Sequence, residues 1–398
     1  MEATVRIAVT HPTAWPEVRR GSERMLHDLS QRLAARGHDV TVLTSSPASE
    51  TRIEADGPVR RVLLRRRTGP AALTGRWFNS QHLFGWDLAR WLRAEPFDAV
   101  HCLNYHDAVG ALIARRAGAR FRLVFQCTGI PVRRYFRRIP ADGLMFRMVL
   151  RQADAVAVLS RFAQDALARD YGVAGTLLAS PTETAPFEAL PDDAPREPYI
   201  LFSGDADEPR KGALLLAQAF PAVAERLPAL RLVYTGRSSP ATRAALSAAV
   251  PGNLRDRVEF LGLGRVEDLP HLYARATVCV NPAVWEALGN VLIEALAAGT
   301  PVVGARHAGI PDIVADETVG ALFDPGSTRL AATNAAGLSE AILRAAALAA
   351  RPETRARCRA RAQAFSWNAL IPRYEGLLGG DAPPREIGPP LPAAIPLR

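Results

Sequence analysis

The sequence predicts an α/β chain built from two open domains, each a largely parallel sheet covered by helices on both faces. Two observations carry this. Short apolar strand-like runs alternate with helical stretches along most of the 398 residues, and the alternation breaks once, over a segment rich in Pro, Thr, Asp and Glu from Pro181 to Pro198, before it restarts. The length suits two cores of roughly 150 to 200 residues, and with 48% apolar residues both can be filled.

In order, the first half reads as strand Val5 to Thr10, helix Ser22 to Ala35, and strands Asp39 to Thr44, Asp98 to Leu103, Phe121 to Cys127 and Ala155 to Leu159. These make one Rossmann-like sheet. The second half reads as strands Tyr199 to Gly204, Arg231 to Gly236, Val258 to Gly262, Thr277 to Asn281 and Pro301 to Ala305, again separated by helices. The expected domains are residues 1–190 and 191–364, followed by a returning helix over 365–378 and a Pro-rich, disordered tail over 379–398. In such sheets ligands lie beyond the carboxyl ends of the strands, so the residues just after each strand are the candidates for chemistry.

The net charge of +9 does not by itself point to nucleic acid, because arginine is spread along the whole chain; the one local cluster is Arg133, Arg134, Arg137 and Arg138. No nucleic-acid partner is expected. That cluster, interleaved with Tyr135 and Phe136, leaves a peripheral membrane contact or an anionic acceptor open beside a solvated loop. The four cysteines are far apart and show no disulfide or metal spacing, and there is no signal-like or membrane-spanning run, so a cytoplasmic protein is expected. Trp77, Phe78, Phe84, Trp86 and Trp91 are largely at helical spacing and are expected in the core. Nothing sets an oligomeric state.

One lysine, Lys211, stands among 48 arginines, in Asp207-Glu208-Pro209-Arg210-Lys211-Gly212 after a strand. A chain that has drifted to arginine should keep lysine where a compact ammonium is required, as at a phosphate. The second strong signal is the segment Asn281 to Val303, which reads as strand, loop, helix and strand, the helix starting near Asn290 and ending at Gly299. Free amides from Gly289 to Leu292, with the helix dipole, suit an anionic group such as a diphosphate. Glu286 in the loop and Glu294 in the helix could each accept from vicinal sugar hydroxyls.

The spacing Glu286-x7-Glu294 and the Lys211 segment resemble those of the retaining glycosyltransferases of family 4, the latter looking like phosphatidylinositol mannosyltransferases. Gly21-Ser22-Glu23, Arg36 to Thr41 and Ala308 to Val314 fit the same pattern, and Phe365-Ser366-Trp367 with Tyr374 resembles the last helix of such enzymes. The resemblance implies the GT-B fold of two Rossmann-like domains facing across a cleft. It implies that Lys211 and Glu286 are catalytic, with Lys211 on the donor diphosphate, Glu286 on the transferred sugar and Glu294 on the ribose. Arg210, Gly21, Ser22, Gly262, Gly289, Asn290 and Val291 would complete the donor site for a UDP- or GDP-sugar. Retaining members are thought to react on one face of the sugar, a diphosphate oxygen taking the acceptor's proton, so no separate base is required.

Two departures stand out. Where members carry arginine after the first C-terminal strand, this chain has Asp205; Arg210 or Arg237 could supply the charge instead. A Mg2+ at Asp205 and Asp207 is disfavoured, because GT-B enzymes generally break the bond without metal, so no cofactor is expected. Where many members carry histidine, the chain reads Gln126-Cys127-Thr128. Acceptor-contact candidates are Trp15, His106, Gln126, Thr128 and Arg133, and a small molecule of specialised metabolism is the expected acceptor. A membrane lipid or envelope glycan precursor, a nucleotide-sugar epimerase or hydrolase, and an inactive basic binding protein are the alternatives.

Overall fold

The structure, a computed structural model, describes residues 4–18, 21–67, 80–137, 140–188, 191 and 195–380. The chain divides into two compact units, one built on Met1–Pro181 together with the chain from Leu370, the other on Thr182–Ala369.

The first unit carries an eight-stranded sheet in the order β3-β4-β2-β1-β5-β6-β7-β8. Its strands are β1 (Arg6–Thr10), β2 (Asp39–Ser46), β3 (Arg52–Asp56), β4 (Val59–Arg65), β5 (Ala99–Cys102), β6 (Arg122–Cys127), β7 (Ala155–Val158) and β8 (Thr176–Leu177). All neighbours run parallel except the β3–β4 hairpin. The inner strands are buried along their length, as β5 is throughout, because helices cover both faces. Those helices are α1 (Gly21–Ala35), α2 (Ser80–Ala94), α3 (Tyr105–Arg116), α4 (Pro140–Gln152) and α5 (Arg161–Tyr171). Helices α2 and α3 touch backbone to backbone, since a Cβ on Gly110 would lie 2.3 Å from the Gly85 carbonyl oxygen.

The second unit contains β9 (Tyr199–Ser203), β10 (Arg231–Thr235), β11 (Val258–Gly262), β12 (Val278–Asn281), β13 (Val302–Ala305) and β14 (Gly320–Phe323), in the order β11-β10-β9-β12-β13-β14. Counted from β9 this is 3-2-1-4-5-6, the Rossmann order, and every recorded pair is parallel. Its helices are α6 (Ala185–Glu188), α7 (Ala213–Arg226), α8 (Pro240–Ala248), α9 (Leu269–Arg275), α10 (Asn290–Ala297), α11 (Ala335–Ala349) and α12 (Thr354–Gln363). The strand order reverses between β9 and β12. The loops after those two strands carry Lys211 and Glu286.

Helix α13 (Trp367–Gly379) begins in the second unit and from Leu370 belongs to the first. There Arg373 donates to the Leu177 carbonyl (2.7 Å), the Tyr374 hydroxyl to that of Ala179 (3.0 Å), and Arg122 Nε to that of Leu377 (2.8 Å). Glu375 pairs with Arg36 and lies 3.3 Å from His38 Nε2.

The predicted strands are found within a residue or two. The β3–β4 hairpin, β8 and β14 were not expected. Trp86 corrects one expectation: it is 54% exposed, on the outer side of α2, whereas Phe84 is buried and Trp91 lies partly under the Arg60 guanidinium. Trp77, Phe78 and the tail beyond Gly380 lie outside the described residues.

His101 at the centre of β5 is fully enclosed, its ring 5.9 Å from that of Tyr374. Burial pushes its pKa down to about 4, against an opposing pull from the Gln126 side chain. The unfolded chain, titrating near 6.5, takes up a proton first. Stability is therefore complete above pH 6.5 and falls as pH drops toward 4, by about 3 kcal/mol over that interval at 1.36 kcal/mol per unit. Denaturant titrations at pH 7 and pH 4.5 should show this loss, and His101→Leu should remove most of the difference.

Candidate functional site

Strand β9 ends at Ser203, and Gly204 follows at φ +153°. The chain then makes a short 3-10 turn over Pro209–Lys211 and enters α7 through Gly212 at φ +74°. Gly212 is required twice over: its φ favours glycine, and a Cβ there would lie 2.9 Å from both Cγ and the carbonyl oxygen of Pro282. This close approach brings the loop after β9 against the loop after β12. The Val284 N–H donates to the Arg210 carbonyl (3.1 Å), and Arg210 Nη1 returns a bond to the Trp285 carbonyl (2.9 Å).

The contact delivers Lys211 to Glu286. Lys211 Nζ donates to Glu286 Oε2, each side chain about one-fifth exposed, at 20% and 18%. Arg210 Nη1 lies 3.8 Å from the same oxygen while its Nη2 is 2.6 Å from Glu208. An ammonium carries three N–H donors, so Lys211 can hold Glu286 and still reach an anion. The Gly309 N–H fixes the Glu286 carbonyl (2.9 Å), and a Cβ on Gly309 would collide with the Ala287 carbonyl at 2.2 Å, so a second glycine seats this loop from behind.

Beyond Glu286 the chain turns at Gly289 (φ +111°) into α10. Among the described residues, the N–H groups of Gly289, Asn290 and Val291 find no acceptor. They leave a helix start with free donors, an arrangement suited to an anion, beside the Lys211–Glu286 pair. The Leu292 amide was expected in this set and is not free; it donates to the Gly289 carbonyl (2.9 Å), because the helix opens with a tight turn. Asn281, at the end of β12, is 4% exposed; its Oδ1 accepts from the Ala283 N–H (3.3 Å) and its Nδ2 has no hydrogen-bond partner among the described residues.

Glu294 is 8% exposed, and Tyr273 from α9 donates its hydroxyl to Oε2 (3.0 Å). The same hydroxyl lies 2.8 Å from Ser203 Oγ. A phenol has one hydrogen, so Ser203 donates to Tyr273 and Tyr273 to Glu294, a relay that orients the carboxylate. Neither Ser203 nor Tyr273 was picked out from the sequence. Tyr273 lies within a short apolar helix, where an aromatic reads as core.

Asp205, which stands where a cation was expected, lies 3.6 Å from Arg237 Nε, so the pair together is near neutral. Its Oδ1 accepts the Asp207 N–H (3.0 Å). Asp207 in turn accepts from Thr242 Oγ1 (2.5 Å) and the Ser239 N–H (2.8 Å) at the start of α8, and these bonds hold it below the usual carboxylate range. The Asp207 carboxylate thus joins two loops. Gly262 (φ +69°) closes β11, its carbonyl accepting from the Gly236 N–H (2.8 Å) and the Gly264 N–H (3.1 Å). Phe260 stacks on Tyr234 at 5.3 Å, and Leu261 is half exposed.

The remaining candidates lie in the first unit. Gly21 opens α1, and a Cβ there would meet nothing within 4 Å among the described residues, so no contact with them requires glycine; Ser22 donates to the Glu23 carboxylate (2.9 Å). Trp15 is half-buried after β1, its carbonyl accepting from Arg61 (3.4 Å). Thr128 donates to the Leu103 carbonyl (3.3 Å), and Arg133, exposed, lies 5.9 Å from the Tyr171 ring. Two acceptor candidates are corrected. Gln126 is wholly enclosed, its amide donating to the Leu178 carbonyl (3.0 Å), and His106 is 3% exposed, with its ring bonded to Asn104 (2.9 Å). Both point into the fold because β6 and the start of α3 are covered by neighbouring elements. Arg138 lies outside the described residues.

Gly212→Ala should destabilise the second unit by about 1–3 kcal/mol, from overpacking against Pro282 and a disfavoured φ. A lower denaturant midpoint with unchanged slope is the expected result.

Comparison with known proteins agrees with this architecture. The family model described as Glycosyltransferase Family 4 matches residues 19–178, and that described as Glycosyl transferases group 1 matches residues 197–347. A phosphatidyl-myo-inositol mannosyltransferase of Propionibacterium freudenreichii is 28% identical over 86% of this chain and 86% of its own length. A GDP-mannose-dependent alpha-(1-6)-phosphatidylinositol monomannoside mannosyltransferase of Mycolicibacterium smegmatis is 31% identical over 56% of this chain and 62% of its own. Among solved structures, sucrose-phosphate synthase of Thermosynechococcus elongatus superposes with a TM-score of 0.74 at 25% identity, over 94% of this chain and 98% of that one. Two Rossmann-like units, matched in order by these two family models, make this chain a family 4 glycosyltransferase of the GT-B type.

Proposed function

We propose that the protein transfers a sugar from a nucleoside-diphosphate donor to an acceptor hydroxyl with retention of anomeric configuration. The observation that carries this reading is the Lys211–Glu286 pair beside the three unpaired amides of Gly289, Asn290 and Val291. An anion placed there would meet one ammonium and a helix start.

In this reading the diphosphate lies on Lys211 and those amides, which stabilise the charge that grows as the sugar–phosphate bond breaks. Glu286, held by Lys211, is left with oxygen lone pairs for sugar hydroxyls. Glu294, oriented by Tyr273, accepts from the ribose. Arg210 sets the Glu286 loop from the side and does not itself replace the cation absent at Asp205. With Asp207 already taken up by Ser239 and Thr242, the leaving-group charge falls to Lys211 and the amides, and no bound ion is assigned to Asp205 and Asp207.

For the acceptor, the names of the relatives favour an inositol-containing molecule over the small specialised metabolite expected from the sequence. The exposed Arg133 gives that second reading a candidate contact for a phosphate.

A thermal-shift screen against UDP- and GDP-sugars tests the donor. The true donor should raise the melting temperature, by the equivalent of about 2.7 kcal/mol at a hundredfold excess over its Kd. With that donor, Lys211→Arg should lower kcat about 10²-fold or more, because a planar guanidinium cannot replace a point charge in the same space. Wild-type turnover in Lys211→Arg would remove the assigned role, and an inverted product anomer would remove retention.

A further inference from the structure

Away from the donor site, His82 of α2, His106 of α3 and Asp142 of α4 converge in the first unit, and they form the one such group of potential metal ligands among the described residues. Their ligand atoms all lie within 4.8 Å of one another. His82 Nε2 is 3.1 Å and His106 Nε2 3.7 Å from the same oxygen, Asp142 Oδ1. All three side chains are nine-tenths or more buried, at 9%, 2% and 9% exposure.

The hydrogen bonds of Asn104 decide what His106 presents to that oxygen. Asn104 caps α3, and its side-chain oxygen is identified by the His106 backbone N–H that it accepts (3.0 Å). The same oxygen lies 2.9 Å from His106 Nδ1, so Nδ1 must carry the hydrogen. In the neutral ring Nε2 is then a bare lone pair. That Nε2 has no hydrogen-bond partner among the described residues and faces the Asp142 oxygen that His82 also meets, two acceptors turned toward each other in an enclosed space. Such an arrangement calls for a positive charge between them. Ligating histidines commonly donate their other N–H to an outer oxygen, as His106 does to Asn104.

We propose that His82 Nε2, His106 Nε2 and Asp142 bind a single first-row divalent metal ion of the zinc type. Two nitrogens and a carboxylate suit that class, at about 2.0–2.2 Å per bond, which requires the three atoms to draw in only modestly. The ion is structural. It ties the start of α3 to α2 and α4 behind β5 and β6.

The test uses untagged full-length protein, stripped with a chelator and titrated with Co2+, followed by its visible absorption and by elemental analysis. One equivalent with the intense band of low-coordinate Co2+, displaced by Zn2+, is expected. Loss of that band in His106→Ala and Asp142→Asn, and a 10- to 100-fold weaker affinity in Asn104→Ala, should follow. Asp142→Asn keeps the shape of the site, and its melting temperature without metal shows whether the fold survives. No stoichiometric Co2+ in the wild type, undiminished binding in both ligand variants, or a His106 Nε2–H proton seen by NMR at neutral pH with Zn2+ present would each overturn the proposal.

Discussion

The close approach of two loops in the second unit, Gly212 against Pro282, is the contact on which the candidate site depends. A side chain at 212 would separate the loops. Without that contact, the Val284 amide would not reach Arg210, nor Lys211 reach Glu286. The Rossmann order explains why these loops meet: β9 and β12 are neighbours whose connections leave in opposite directions, and the gap between them is where such sheets hold ligands. Gly309 then seats the Glu286 loop from behind by holding the Glu286 backbone carbonyl, while Lys211 holds its carboxylate.

The charges follow from that frame. One ammonium, one guanidinium and one carboxylate meet at Glu286, next to a helix start with three unused donors. The loop that was expected to bring a second cation brings Asp205, and Arg237 from the neighbouring loop lies against it. Beside the start of α10, positive character therefore comes from Lys211, Arg210 and the backbone amides. A chain that uses arginine almost everywhere else keeps its one lysine at this point.

Much of this was legible in the sequence, for physical reasons. The buried parallel strands are continuous apolar runs, and the loops of Lys211 and Glu286 follow two of them. The β3–β4 hairpin was missed because Val59-Arg60-Arg61-Val62 lies toward a sheet edge and mixes charge with apolar residues, and β8 and β14 are short. Tyr273 was missed because its value comes from two partners 70 and 21 residues away, Ser203 and Glu294. Leu292 was misread because a tight first turn consumes an amide that an ideal helix leaves free. His106 and Gln126, named as acceptor-contact candidates for their place after strands, are buried, because burial cannot be read from strand position alone. The grouping of His82, His106 and Asp142 has no local spacing and exists only once α2, α3 and α4 pack.

A crystal structure with a bound nucleoside diphosphate tests the central claim most directly. The account predicts a terminal phosphate oxygen within hydrogen-bonding distance of Lys211 Nζ and of at least one amide among Gly289, Asn290 and Val291, with Glu294 on the ribose. A diphosphate bound elsewhere, with Lys211 still paired to Glu286 alone, would contradict it.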